Sequence, residues 1–377
     1  MRVVICGGGV IGASIAYFLS CRGVHPIVIE RTGLACAASG KSGGFLALDW
    51  CDGTPLESLA RRSFALHATL AGELGGDWGY RRLTTYAGFA GAAKTRRPAG
   101  SAYGIGWLSD AVTLHHRLGS AETTAQVDPG RFTAALMRAA QARGGELRLG
   151  CVTGLVHAGA SASVQGVEVD GEVIDGDAVV IAMGPWSILA AAWLPLPGVF
   201  GLKGHSLVFE TGTRIAAEAL FLEYQETAGI VHSPEIFPRP DGTTYVCAIS
   251  SESPLPENPA AVAPDPGAIE RLEAMCARLS PALGASKILA RQACYRPVTR
   301  DGLPLIGAVP GPDNVYVATG HGVWGILNAP ATGEAMAERI VDGAARTVDL
   351  SRFDPGRLAP LDPAWLERNK QRFVTTN

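Results

Sequence analysis

Residues Arg2–Glu30 read RVVICGGGVIGASIAYFLSCRGVHPIVIE. Arg2–Cys6 is a short apolar run suited to a buried parallel strand, Gly7-x-Gly9-x-x-Gly12 follows at once, and Ile11–Arg22 has helical character. A second apolar run, Pro26–Ile29, ends in the acid Glu30. Strand, glycine turn, helix, strand and acid in this order make a βαβ unit with a dinucleotide fingerprint. Gly7 makes the tight turn, Gly9 lets the backbone approach a pyrophosphate, and Gly12 allows close helix–strand packing. The helix N-terminus adds oriented N–H groups and partial positive charge. Glu30 can accept hydrogen bonds from ribose hydroxyls and would repel a 2′-phosphate, which argues against NADP.

Just beyond the acid lies Ala37-Ala38-Ser39-Gly40-Lys41-Ser42-Gly43-Gly44. Such a run of small residues exposes many backbone N–H groups and lets an extended ligand lie close to the chain. Arg31, Ala38, Ser39, Ser42, Gly43 and Gly44 are therefore expected cofactor contacts, together with Gly7, Gly9, Gly12 and Glu30.

The chain has 377 residues, 47% of them hydrophobic and 18% charged, as expected of a globular protein of about two domains. Its net charge of -3 argues against a nucleic-acid partner, which would need a surplus of Lys and Arg on one face. The pairs Arg61-Arg62 and Arg96-Arg97 read as solvated faces. The opening lacks a basic segment followed by an apolar stretch and a cleavage site, so a cytoplasmic address is expected. Ala178–Leu202 carries no charged residue, but Gly184-Pro185, Pro195 and Pro197 interrupt it, which predicts a buried strand and a short helix from Trp186 rather than a membrane span. The eight cysteines include no C-x-x-C pair, so no metal site is expected.

Four separated segments resemble the D-amino-acid oxidase superfamily of FAD enzymes, the group holding glycine oxidase, sarcosine oxidase and the bacterial D-amino-acid dehydrogenases. They are Val3–Glu30 with the loop to Gly44, Gln126-Val127-Asp128-Pro129 with the helix after it, Val179–Ser187, and Tyr295–Gly333. The resemblance implies an α/β plus α+β fold, with a discontinuous Rossmann-like FAD-binding domain (1–48, 123–187 and 295–350). A capping, mainly antiparallel β-sheet substrate domain (49–122 and 188–294) covers it, and 351–377 form a C-terminal tail. Gly130–Arg143 reads as an amphipathic helix with Phe132, Leu136 and Ala140 on one face. The likeness implies that Val152 meets the adenine through its backbone, and that Ala182, Gly184 and Trp186 return to the pyrophosphate.

Cys294–Gly307 resembles the signature L-R-P-x-T-x-D-G-x-P-x-I-G of the glycine oxidase branch. Arg296 matches the arginine that clamps the substrate carboxylate there, a task suited to a planar guanidinium making two parallel charge-assisted hydrogen bonds. After the apolar strand Val315–Ala318, Gly320, Gly322, Trp324, Gly325 and Ile326 belong to a loop and helix whose N-terminus is implied to point at the flavin, favouring hydride acceptance. His321 is the candidate base of this loop, although in relatives such a position shapes the flavin loop. Trp324 replaces a polar residue of the branch and is a candidate pocket wall, as are Phe237 and Tyr224.

Cys294 aligns with the cysteine that tethers FAD in the sarcosine oxidase branch, yet Tyr295-Arg296-Pro297 belongs to the non-covalent branch, so non-covalent FAD is expected. Sarcosine oxidase uses a lysine after its "F-P" turn to activate oxygen; Thr243–Ala248 has none, so oxygen is expected to be a poor acceptor, and the acceptor is oxygen or another carrier. The implied activity is hydride transfer from the Cα–H of a small amino acid or N-substituted amine to flavin N5, the imine then being hydrolysed. The alternative is an FAD-containing redox-linked regulatory protein with little turnover.

Overall fold

The computed structural model describes residues 1–91, 103–157, 163–226 and 229–369. The pair Arg96-Arg97 and the end of the tail lie outside the described residues.

The opening strand Arg2–Cys6 sits inside a six-stranded sheet in the order 305–308, 315–319, 178–181, 2–6, 25–30, 146–149. It pairs in parallel with His25–Glu30 on one side and Ala178–Ile181 on the other. Every residue of Val3–Cys6 and Val179–Ile181 is fully buried, which is why these strands are continuously apolar rather than alternating. The chain leaves the opening strand in both directions across the sheet. A ligand crevice forms at the carboxyl ends of strands at such a switch point.

The helices Val10–Ser20, Pro129–Gln141 and Gly325–Val341 pack on one face of this sheet and share a core with the helix Glu57–Glu73. Helix Pro129–Gln141 has Asp128 as N-cap, its carboxylate accepting from Arg131 N–H at 2.8 Å, with proline at the first helical position. Phe132, Leu136 and Ala140 are all fully buried, as their spacing predicts.

A second, eight-stranded sheet runs in the order 287–299, 199–210, 243–251, 235–238, 218–225, 84–91, 112–119, with Val231–His232 attached to 218–225. All its pairings are antiparallel except 218–225 with 84–91. One face packs under the amphipathic helix Ala268–Leu279; the other looks toward the first sheet. Two segments lie elsewhere than the expected boundaries. Glu57–Glu73 joins the core of the first unit through Leu59, Phe64 and Leu70, because its apolar face meets the helix Gly325–Val341. Lys287–Thr299 is one strand of the second sheet, so Arg296 belongs to that sheet. The uncharged stretch Ala178–Leu202 is a strand, the 3-10 helix Gly184–Ala192 and the start of the strand Val199–Glu210. No helix among the described residues is long and apolar enough to cross a membrane.

Candidate active site

Between the two sheets lies a cavity of about 390 Å³, and it opens at the switch point. Its walls hold the glycine turn after the opening strand, the small-residue loop 35–44, the turn Ala182–Trp186 and the loop Thr319–Ile326, which come from four distant parts of the chain. The second sheet closes it with Gly204, Glu235, Phe237, Tyr245, Cys247, Cys294 and Arg296.

The glycine turn is built for close approach. Gly7 has φ +114°, and a methyl there would stand 2.4 Å from the carbonyl oxygen of Ala182. The helix Val10–Ser20 that follows has no acidic residue in its first turn, and Val10 N–H donates to Ser39 Oγ at 2.9 Å. Glu30 is fixed by backbone donors: Oε2 accepts from Gly8 N–H at 2.7 Å and Oε1 from Thr32 N–H at 3.0 Å. Its carboxylate still borders the cavity, where ribose hydroxyls would donate to it. A Cβ-free cradle, a helix N-terminus and a held carboxylate fit the adenosine and pyrophosphate of FAD.

Thr319 Oγ1 accepts from Ser187 Oγ at 3.0 Å and donates to the carbonyl of Gly184 at 2.9 Å, tying the Gly184–Ser187 turn to the strand beside it. Trp186 Nε1 donates to Pro256 O at 2.7 Å and Arg31 Nη1 to Glu257 O at 3.0 Å, so the segment after Ser251 straps the nucleotide end. Asp265 anchors that strap through Lys203 Nζ at 2.6 Å and the hydroxyls of Ser251 and Ser253. Burial works against its charge, but these hydrogen bonds outweigh it and bring the carboxyl down to about 2.

Every expected cofactor contact borders the cavity except Gly12, namely Gly7, Gly9, Glu30, Arg31, Ala38, Ser39, Ser42, Gly43, Gly44, Val152, Ala182, Gly184, Trp186, Gly320, Gly322, Trp324, Gly325 and Ile326. Gly12 instead lets the helix lie on the turn: a methyl there would be 2.1 Å from the carbonyl oxygen of Gly7.

Arg296 lies half-buried across strand Val199–Glu210. A methyl at Gly204 would stand 3.1–3.3 Å from its guanidinium, and Nη1 donates to Ser250 Oγ at 2.9 Å. Phe237 also borders the cavity, stacked between Phe45 and Tyr245 at 5.4 and 6.1 Å. Trp324 meets Trp50 edge-on at 6.3 Å.

Two sequence expectations need correction. Tyr224 is buried in the core on the opposite face of the second sheet, its hydroxyl accepting from Arg278 Nη1 at 3.3 Å. Phe221 of the same strand borders the cavity, and residues three apart on a strand point to opposite faces. His321 borders the cavity, but its ring is held in the protein interior. Its Nε2 pairs with Thr332 Oγ1 at 3.1 Å in the core, its Nδ1 is buried without a partner, and burial pushes its pKa down to about 3.

Beside Glu235, Tyr245 and Cys247 are wall residues that the sequence reading did not single out. The signal was alternation: Glu235 stands two before Phe237 and pairs in register with Cys247, as Phe237 does with Tyr245.

The family model for FAD dependent oxidoreductases, DAO, matches residues 2–339. The chain belongs to the DAO family of FAD-dependent oxidoreductases. The oxidoreductase is 30% identical to the Schizosaccharomyces pombe protein C1F5.03c, over 94% of this chain and 97% of that one. It is 28% identical to the glycine oxidase of Geobacillus kaustophilus, over 93% of this chain and 95% of that one. The crystal structure of glycine oxidase from Geobacillus kaustophilus superposes with a TM-score of 0.77 at 24% identity, covering 95% of this chain and 99% of that one, and shares its fold. The oxidoreductase therefore depends on FAD and is related to glycine oxidases.

Proposed function

We propose that this oxidoreductase oxidises the C–N bond of an amino acid or N-substituted amino acid whose carboxylate is held by Arg296. The observation that carries the reading is the guanidinium laid over Gly204 on the wall of a cavity that the loop Gly320–Ile326 also lines. Bound FAD would supply a two-electron acceptor for the substrate's Cα hydride. The protein's part is to bind and orient. Arg296 fixes the carboxylate, the flat aromatic side chains exclude water, and the α-carbon is thereby set toward the flavin loop. A neutral amine provides its own lone pair to expel hydride, so no histidine base is required, in keeping with the inward-facing ring of His321.

Glycine oxidases among the relatives support an amine substrate. Anaerobic bleaching of the flavin across D- and L-amino acids, glycine, sarcosine and secondary amines tests the reading. Substrates with a carboxylate should bleach the flavin, and Arg296→Ala should raise their apparent Kd about tenfold or more, the loss expected for a charge-assisted pair. Unchanged affinity in Arg296→Ala would remove the clamp.

A further inference from the structure

The cavity wall that carries Arg296 also carries one carboxylate, Glu235. The only hydrogen bond to that carboxylate among the described residues comes from the Cys247 thiol, reaching Oε2 at 3.5 Å, and Oε1 takes none. Arg296 acts on it through space, but its Nη1 is engaged by Ser250, and the two charges form no ion pair within 4.0 Å. A carboxylate so placed is costly: burial pushes Glu235 up, with Arg296 working in the opposite direction. A glutamine or an apolar residue would fill the same space at less cost. The arrangement is two opposite charges on one cavity wall that form no ion pair with each other.

The surroundings of the pair are aromatic. Phe45, Trp50, Phe221, Phe237, Tyr245 and Trp324 all border the cavity. Their ring contacts run from 4.8 Å for Trp50–Phe221 to 6.3 Å for Trp50–Trp324. Glycine, with no side chain, would leave most of this surface untouched. An apolar or aromatic substituent would cover it, and a cationic nitrogen is favoured near ring faces as well as near a carboxylate.

Resting on the assignment of the carboxylate to Arg296, we propose that Glu235 binds the substrate's ammonium group and takes one of its protons before hydride leaves the α-carbon, so that the site reads an α-amino acid bearing an apolar or aromatic substituent at two charged points. Substrate preference is then set by three features: Arg296 for the carboxylate, Glu235 for the amine, and the aromatic wall for the substituent.

The test compares phenylalanine, in both enantiomers, with its deaminated analogue 3-phenylpropionate on the FAD-loaded enzyme under anaerobic conditions, reading perturbation or bleaching of the visible flavin spectrum. In Glu235→Gln the apparent Kd for phenylalanine should rise about tenfold or more, while 3-phenylpropionate binds as in the parent enzyme or more tightly, because a repelling charge has gone. Glu235→Asp, which keeps the charge on a shorter arm, should fall between, and FAD content reports whether each variant is folded. Equal weakening of both ligands, or phenylalanine affinity within about threefold of the parent, would overturn the proposal. Glycine binding as tightly as phenylalanine would overturn the aromatic part. The underlying assignment fails separately, if Arg296→Ala leaves 3-phenylpropionate binding intact.

Discussion

Gly204 and Arg296 act as one unit, although 92 positions of sequence separate them, because strand Val199–Glu210 pairs in register with Lys287–Thr299. Gly204→Ala places a methyl 3.1–3.3 Å from the guanidinium, which must give by a few tenths of an ångström. The expected outcome is a rise of about two- to threefold in the apparent Kd for carboxylate substrates, smaller than in Arg296→Ala, with FAD content unchanged, measured by anaerobic titration. Cys294 shares the same wall, and burial pushes its thiol up, which leaves little thiolate to react. Acid precipitation should accordingly release all the flavin colour into the supernatant; colour in the pellet would establish a covalent link. The sequence made Arg296 readable because a long local motif surrounds it. Tyr224 misled because an aromatic residue next to a promising strand does not reveal its face; Phe221, three positions earlier, takes the cavity.

The helix Gly325–Val341 has Pro330 within it, and a proline there leaves the carbonyl of Ile326 without its helical N–H donor. The neighbouring helix Glu57–Glu73 makes good the loss. His67 Nε2 approaches Ile326 O at 2.9 Å and Leu327 O at 3.2 Å, and Ser63 Oγ accepts from Ala331 N–H at 3.0 Å. This repair lies immediately behind the loop Gly320–Ile326, and it explains why Glu57–Glu73 packs in the first unit. His67→Leu should destabilise the protein by about 1–3 kcal/mol in urea melts, the cost of orphaned buried carbonyls, whereas His67→Gln, which keeps a donor, should lose less. Burial also holds His67 down to about 4, from an ordinary 6.5. The unfolded chain therefore takes up a proton that the folded chain refuses, and stability that is full above pH 6.5 is lost as pH falls toward about 4. Thermal melts from about pH 7 to about pH 5 should show a falling midpoint, with a shallower slope in His67→Gln. Helix ends and buried strands were legible from local periodicity. The pairing of a buried histidine with a proline-broken turn was not, since nothing in sequence links positions so far apart.

The two large sheets meet over one cleft, and the segments lining it come from the first 50 residues, the middle and the last quarter of the chain. The nucleotide end was the most legible part, because one continuous βαβ unit builds it. The substrate end depends on which strands of the second sheet lie side by side, a long-range outcome that alternation constrains only once the pairing is known. The boundary between the units was hard to place for the same reason, since Lys287–Thr299 is a single strand whose first half carries no family motif.

A crystal structure of the FAD-loaded enzyme tests the central claim most directly. The adenosine should lie against Glu30 and the glycine turn after Cys6, with the isoalloxazine between the loop Gly320–Ile326 and the wall holding Gly204, Glu235 and Arg296. An isoalloxazine ring lying outside that cleft, or with Arg296 turned away from the ring, would contradict the account.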